Sequence, residues 1–267
     1  MTEDRGIRRF TARHIINHAI MLVCFLGLVV TGMPQRYPAQ TWAKAVVMLF
    51  GGVQRVRFVH HWLGTIMAFQ LVWHAIEVLW LTVVRRAPLH MMPGLPDWRH
   101  FLQQVRFNFG LDSTPPRMAR YGFPEKIEYL ALIWGTALMV ATGLVLLYPV
   151  RFSPMVGGEA ILAAKAAHGG EALLAFLAIL TWHAYFVHVR HWNKSMFTGY
   201  LEEEAYAEEH ALELQQIRRG EAPEPAPARI LRVMVFAVMA LIIVAGTGLL
   251  LYWLGAMATA ITTVSGG

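Results

Sequence analysis

Five stretches of this chain are apolar for long enough to cross a bilayer core of about 30 Å, and they leave little choice of fold. They run approximately over 15–33, 59–83, 127–149, 160–189 and 230–257. Hydrocarbon offers no water to satisfy backbone groups, so such stretches close their hydrogen bonds internally as helices. The expected fold class is all-α: a polytopic membrane protein with a four-helix transmembrane bundle in residues 1–200 and one additional C-terminal span in 229–267. Composition agrees, with 56% hydrophobic and 15% charged residues, against about 25% charged in an ordinary soluble domain. The single cysteine, Cys24, excludes a four-cysteine cluster, an internal disulfide and a C-x-x-C-H haem attachment. The first span opens with polar residues and lacks a small-residue cleavage site after it, so it reads as a retained helix rather than a signal peptide.

Lys and Arg set the expected direction. Sixteen of the 23 fall before the first span or in the 84–126 and 190–229 connections, and six fall on the opposite side. The positive-inside rule then places the N-terminus in the cytoplasm and the C-terminus outside, as in a bacterial inner membrane. The net charge of +6 therefore reports topology and lipid headgroups. Nucleic acid is not an expected partner, since no concentrated basic face is present. Asp97–Leu111 mixes aromatic and basic residues and suits a short interfacial helix. Residues 201–228 form a charged, helix-prone stretch over Leu201–Arg219, acidic first and basic last as the helix dipole favours, and a Pro-rich linker, EAPEPAPA. That linker makes the fifth span look like an appendage, and no internal repeat is evident.

Ionisable residues inside spans are costly and mark function or a specific partner. A lone buried histidine needs only a carbonyl on a neighbouring helix; the histidines here are patterned. His60 and His74 lie 14 residues apart in the second span, and His168 and His183 lie 15 apart in the fourth. At about 100° and 1.5 Å per residue, each pair falls near one face, separated by roughly 21–22 Å. Both spans run in the same direction, so His60 matches His168 in depth and His74 matches His183. Two stacked b haems with bis-imidazole ligation would need this geometry. Gly64, Gly169 and Gly170 are small where a flat macrocycle would approach backbone. His18, in the first span, competes with His74 as the partner of His183. His188 follows His183 by five residues, about 140° around an α-helix; a His18–His188 pair beside His74–His183 would make three haems. His14, His61 and His191 sit near span ends and read as interfacial, while His90, His100 and His210 fall in connections and carry no special reading.

At these residues the chain resembles the membrane cytochrome b subunits grouped with the formate dehydrogenase gamma subunit, nickel–iron hydrogenase cytochrome b and thiosulfate reductase cytochrome b, and above all bacterial cytochrome b/b6 domain proteins. The likeness lies in RRFTARHIINHAIMLVCFLGLVVTGMPQRYP, LFGGVQRVRFVHHWLGTIMAFQLVWH, AAHGGEALLAFLAILTWHAYFVHV and TGYLEEEAYAEEHALEL, together spanning about residues 8–215. The resemblance implies a quinone-linked b-haem electron carrier with an inner haem on His18 and His183 and an outer haem on His60 and His168. His74 and His188 depart from that pattern, so the inner pairing stays open between His18 and His74, and the haem count between two and three.

The expected function is electron transfer across the membrane between a quinone pool and a redox partner subunit: a multihaem cytochrome c, an iron–sulfur protein or a dehydrogenase. Glu77, three residues after His74, and Glu171, three after His168, are candidates for moving protons at a quinone site. Arg13, Arg57 and Arg190 lie near span ends, where they either meet haem propionates or snorkel to the interface. Two other classes stand beside this one: a proton- or metal-conducting transporter, and a membrane anchor without haem for a peripheral oxidoreductase. No phosphate-binding glycine loop or nucleophile motif is visible, so stand-alone substrate chemistry is not expected.

Overall fold

The computed structural model describes residues 6–221 and 226–255; the tail after the fifth span and residues 222–225 of the linker lie outside the described residues. The protein is an all-α, polytopic membrane protein. Its long helices are α1 (Ala12–Arg36), α3 (Val53–Leu79), α5 (Phe123–Leu147), α7 (Gly158–Ala178) and α11 (Ile230–Gly255). Five continuous helical segments are long and apolar enough to span a membrane: Ala12–Arg36, Val53–Val84, Phe123–Leu147, Gly158–Arg190 and Ile230–Gly255. Their outward faces carry large apolar side chains such as Val23, Trp134, Leu162 and Leu241, which lipid rather than protein covers.

The turns between spans follow from local chemistry. Gly51 and Gly52, at φ 79° and 115°, make the turn between a short helix α2 (Thr41–Leu49) and α3; a residue with a Cβ is strained there. Tyr148 breaks the helical path after α5, and Pro149 opens the short α6 (Pro149–Val156), a position where its missing N–H costs nothing. The remaining helices are α4 (Leu95–Asn108), α8 (Ser195–Thr198), α9 (Glu203–Glu209) and α10 (Ala211–Arg219). The charged stretch expected as one helix over Leu201–Arg219 is thus two, broken at His210. Two short strands, β1 (Ile7–Arg8) and β2 (Tyr200–Leu201), pair antiparallel.

Two compact units emerge, each made of discontinuous pieces. The first takes the described residues of Met1–Ile15, Val78–Ile133 and Asn193–Phe236; the second takes those of Ile16–Glu77, Trp134–Trp192 and Ala237–Gly267. The first unit has a small core of Leu201, Tyr206 and Leu214, with Ile7 and Ala205 against it. Around it runs a buried polar network. Arg9 donates to Glu125 (3.0 Å) and to the Arg120 carbonyl (3.2 Å). Arg120 donates to Glu213 (2.6 Å) and to the Arg9 carbonyl (3.0 Å), and the Tyr206 hydroxyl donates to Glu213 (2.6 Å). His210 is buried here too, its Nδ1 3.0 Å from the Ala119 carbonyl. A connection histidine expected to carry no special reading is therefore a packing anchor.

The fifth span has specific contacts within each unit. In the first, Phe236 meets Trp80 edge to face at 5.0 Å, and Arg232 donates to the Val84 carbonyl. In the second, the Arg151 guanidinium stacks 4.0 Å over the Trp253 ring and donates to the Trp253 carbonyl. A cation over a tryptophan face is among the stronger contacts of its kind, so α11 is more than a tethered appendage.

Candidate functional site: two histidine clusters in the second unit

His60 stands on the third turn of α3 and His168 at the middle of α7. Each receives a threonine from the long helix that precedes it. Thr31 Oγ1 of α1 is 3.0 Å from His60 Nδ1, and Thr142 Oγ1 of α5 is 2.9 Å from His168 Nδ1. Both hydroxyl protons are engaged elsewhere, by the carbonyls four residues back: Gly27 for Thr31 and Leu138 for Thr142, each at 2.7 Å. A hydroxyl whose proton is so placed has its oxygen left to accept, which matches a ring protonated at Nδ1. Each Nε2 keeps its lone pair, the form in which imidazole binds a metal.

The two imidazoles are neighbours. Their ring centres lie 6.3 Å apart, with planes inclined by 68°. A metal held between two imidazoles needs two metal–nitrogen bonds of about 2.0–2.1 Å, the length found at zinc. It also needs the step from nitrogen to ring centre, about 1.1 Å on each side for a ring built on C–N bonds. Those lengths sum to about 6.3 Å for rings facing each other through Nε2, so the observed separation leaves room for one metal in that arrangement. Two imidazoles are an incomplete set for a bare ion, and among the described residues no group of three His, Cys, Asp or Glu converges as a metal site. Such a pair would hold a group that brings its other metal donors with it.

Glycines make room for these rings. A Cβ on Gly32, next to Thr31, would stand 3.1 Å from His60 Cε1; one on Gly143, next to Thr142, would stand 3.3 Å from His168 Cε1. Farther along the same helices, a Cβ on Gly27 would press Leu63 at 2.5 Å, and one on Gly135 would press Glu171 Oε1 at 2.6 Å. The pattern is a structural repeat that sequence reading missed: Thr-Gly on the first helix of a hairpin, His on the second, and a side chain three residues later seated on a glycine. The missed signal was the Thr-Gly dipeptide in both α1 and α5. Gly170 borders open space, a Cβ on Gly64 would touch Leu28 Cδ2 at 4.0 Å, and the Arg36 guanidinium lies against Gly169.

The second cluster joins α1 to the end of α7. His18 lies within electrostatic reach of both His183 and His188. On an α-helix His188 would face well away from His183, as expected from five-residue spacing. The helix is not α there. It widens into π-helical turns over Ile179–His183 and Tyr185–Arg190, in which hydrogen bonds span five residues. Residues five apart then stack as residues four apart do in an α-helix, which corrects the expected divergence of His188. His74 lies 3.9 Å from the Glu77 carboxylate on its own helix. Glu171 and Glu77 thus sit beside His168 and His74 respectively, one helical turn on. His61 packs against His60 with ring centres 6.3 Å apart, and its Nδ1 is buried without a hydrogen-bond partner.

No family model matches the chain. It is similar to the formate dehydrogenase, cytochrome b556(fdo) subunit of Escherichia coli strain K12, with 24% identity over 207 residues, covering 76% of this chain and 89% of that subunit. The subunits of that name from strains O6:H1 and O157:H7 match to the same extent.

Proposed function

We propose that this chain, a membrane cytochrome b subunit of the formate dehydrogenase type, carries electrons across the bilayer between a quinone pool and a redox partner subunit through two bis-histidine b haems. His60 and His168 hold one iron; His18 and His183 hold the other. The observation that carries this reading is the matched His60–His168 pair, with ring centres 6.3 Å apart and a threonine hydroxyl at each Nδ1. When bound, haem supplies a one-electron carrier whose potential the protein tunes through axial ligands, burial and nearby charge.

The chain's own residues do the rest. Thr31 and Thr142 orient the ligands, Gly32 and Gly143 leave the rings room, and Arg36 at Gly169 offers a cation to a carboxylate beside His168. Glu171 and Glu77 are placed to take up or release a proton near each histidine cluster, as quinone chemistry requires. The relatives are named as subunits of a dehydrogenase, which supports a partner of that class over a multihaem cytochrome c or a lone iron–sulfur protein. The excess of Lys and Arg on the connections to the N-terminal side supports a cytoplasmic N-terminus and an external C-terminus in a bacterial inner membrane.

The π-helical turns favour a second reading of the inner site, in which His188 rather than His183 faces His18. The pyridine haemochrome spectrum per chain decides between them. Wild type is expected to hold two b haems, His60→Ala one and His18→Ala one; of His183→Ala and His188→Ala, only the first is expected to lose a haem. Three haems in wild type would enlist His74 and His188 as ligands. A folded, haem-replete preparation without haem would sink the electron-transfer reading and promote the transporter or the anchor.

A further inference from the structure

We propose that Thr31 and Thr142 are a matched pair of positioning residues that hold His60 and His168 in the Nδ1–H tautomer and thereby lower the potential of the metal those histidines bind. The proposal rests on the haem-ligation reading above and extends it to residues that touch neither iron nor macrocycle.

Three observations converge. First, the two contacts are equivalent, 3.0 Å and 2.9 Å, yet they are made by separate helical hairpins with ligand and threonine 29 and 26 residues apart. Second, each hydroxyl proton is committed to the carbonyl of the preceding turn at 2.7 Å. A Ser or Thr bonding back in this way is common in spans; here it has the consequence that the oxygen can only accept from the ring. Third, the residue after each threonine is glycine, and a Cβ there would crowd the same ring at 3.1 and 3.3 Å. Each imidazole is thus held by a hydrogen bond on one edge and by backbone beside it.

The chemical consequence has a sign. A ring whose Nδ1–H is given to an acceptor is a more basic ligand through Nε2. A more basic ligand favours the oxidised iron, and two such bonds act on one metal. Replacing either threonine by valine keeps the shape and removes the acceptor. The Nδ1–H of His60 then loses its acceptor, while the His168 ring keeps the Met139 carbonyl within reach, and each ring donates less electron density.

The test is a potentiometric titration of Thr31→Val and Thr142→Val in detergent, with haem content measured alongside. Each variant is expected to keep two haems while the oxidised-to-reduced ratio of one of them shifts about tenfold toward reduced, or about 59 mV for a one-electron couple. Thr31→Ser and Thr142→Ser are expected to titrate as wild type, because serine restores the acceptor. Unchanged potentials at full haem content, or serine variants that behave as valine does, overturn the proposal. Nitrogen-15 NMR of the haem-free protein provides an independent readout. His60 and His168 are expected as Nδ1–H tautomers there, and Nε2–H tautomers overturn the proposal even if haem is never found. A wild type without haem whose rings are Nδ1–H would instead defeat the ligation reading alone.

Discussion

At the scale of single residues, the most constrained positions around the histidines have no side chain. Gly32 and Gly143 are where the ring of a neighbouring helix would meet a Cβ, and the clearances differ: 3.1 Å to His60 against 3.3 Å to His168. Each ring is pinned by its threonine, so it cannot swing aside as the end of a flexible side chain would. Overpacking of this kind costs about 1–3 kcal/mol. Gly32→Ala is therefore expected to lower the melting temperature in detergent more than Gly143→Ala, and to release more haem. The reverse order would show that the His168 ring is the more tightly held. Gly135→Ala is a contrasting case. Its Cβ would meet Glu171 Oε1, the far end of a mobile chain, so the expected result is normal folding with a displaced carboxylate and slower quinol-driven haem reduction.

At the scale of elements, one short helix is fastened by a single ion pair. Asp97 opens α4, accepts the Gly94 N–H at 2.6 Å, and receives Lys126 of α5 at 2.8 and 2.9 Å. Burial pushes the Asp97 carboxyl upward, but the Lys126 and Gly94 hydrogen bonds outweigh it and hold it below the ordinary carboxylate range. A carboxyl depressed in the folded state contributes stability that is complete above its unfolded value near 4 and lost as pH falls through the folded value. Lys126 would be left buried without its counter-ion, so Asp97→Asn is expected to cost about 3 kcal/mol. The check is thermal melting between pH 7 and pH 3: wild type should lose this increment only toward the acid end, and Asp97→Asn should lack it throughout. The elements also mark the limit of what the residues alone announce. Five spans and the His60–His168 match follow from apolar length and an α-helical period. The placing of both His183 and His188 within reach of His18 goes with a π-helical widening, which no hydrophobic pattern in ILTWHAYFVHVR betrays. The paired Thr-Gly supports were hidden for a different reason, since Thr and Gly are ordinary helix-packing residues until a histidine is seen across from them.

At the scale of the whole molecule, the long connections are as organised as the spans. In the first unit the N-terminal arm, the approach to α5 and the α9–α10 pair are far apart in sequence. They close on one another through Arg9, Arg120, Glu125, Tyr206 and Glu213. Glu213 is the hub. It takes both the Arg120 guanidinium and the Tyr206 hydroxyl, and burial together with that bond raises the Tyr206 hydroxyl well above its usual range, so it stays a donor at every working pH. Arg9 and Tyr206 are almost wholly buried, which shields the network from salt far better than a surface pair. Such a layer is ordered before anything binds to it, whereas loose connections would have to order at an entropic cost. Glu213→Gln removes the charge that Arg120 and the Tyr206 hydroxyl both engage, at an expected cost of about 3 kcal/mol. Cleavage within 201–221 by a dilute protease should then rise about a hundredfold if opening is fast relative to cutting, with the haem content of the second unit unchanged. Unaltered cleavage would mean that the apolar contacts of Leu201, Tyr206 and Leu214 hold the layer without the ions.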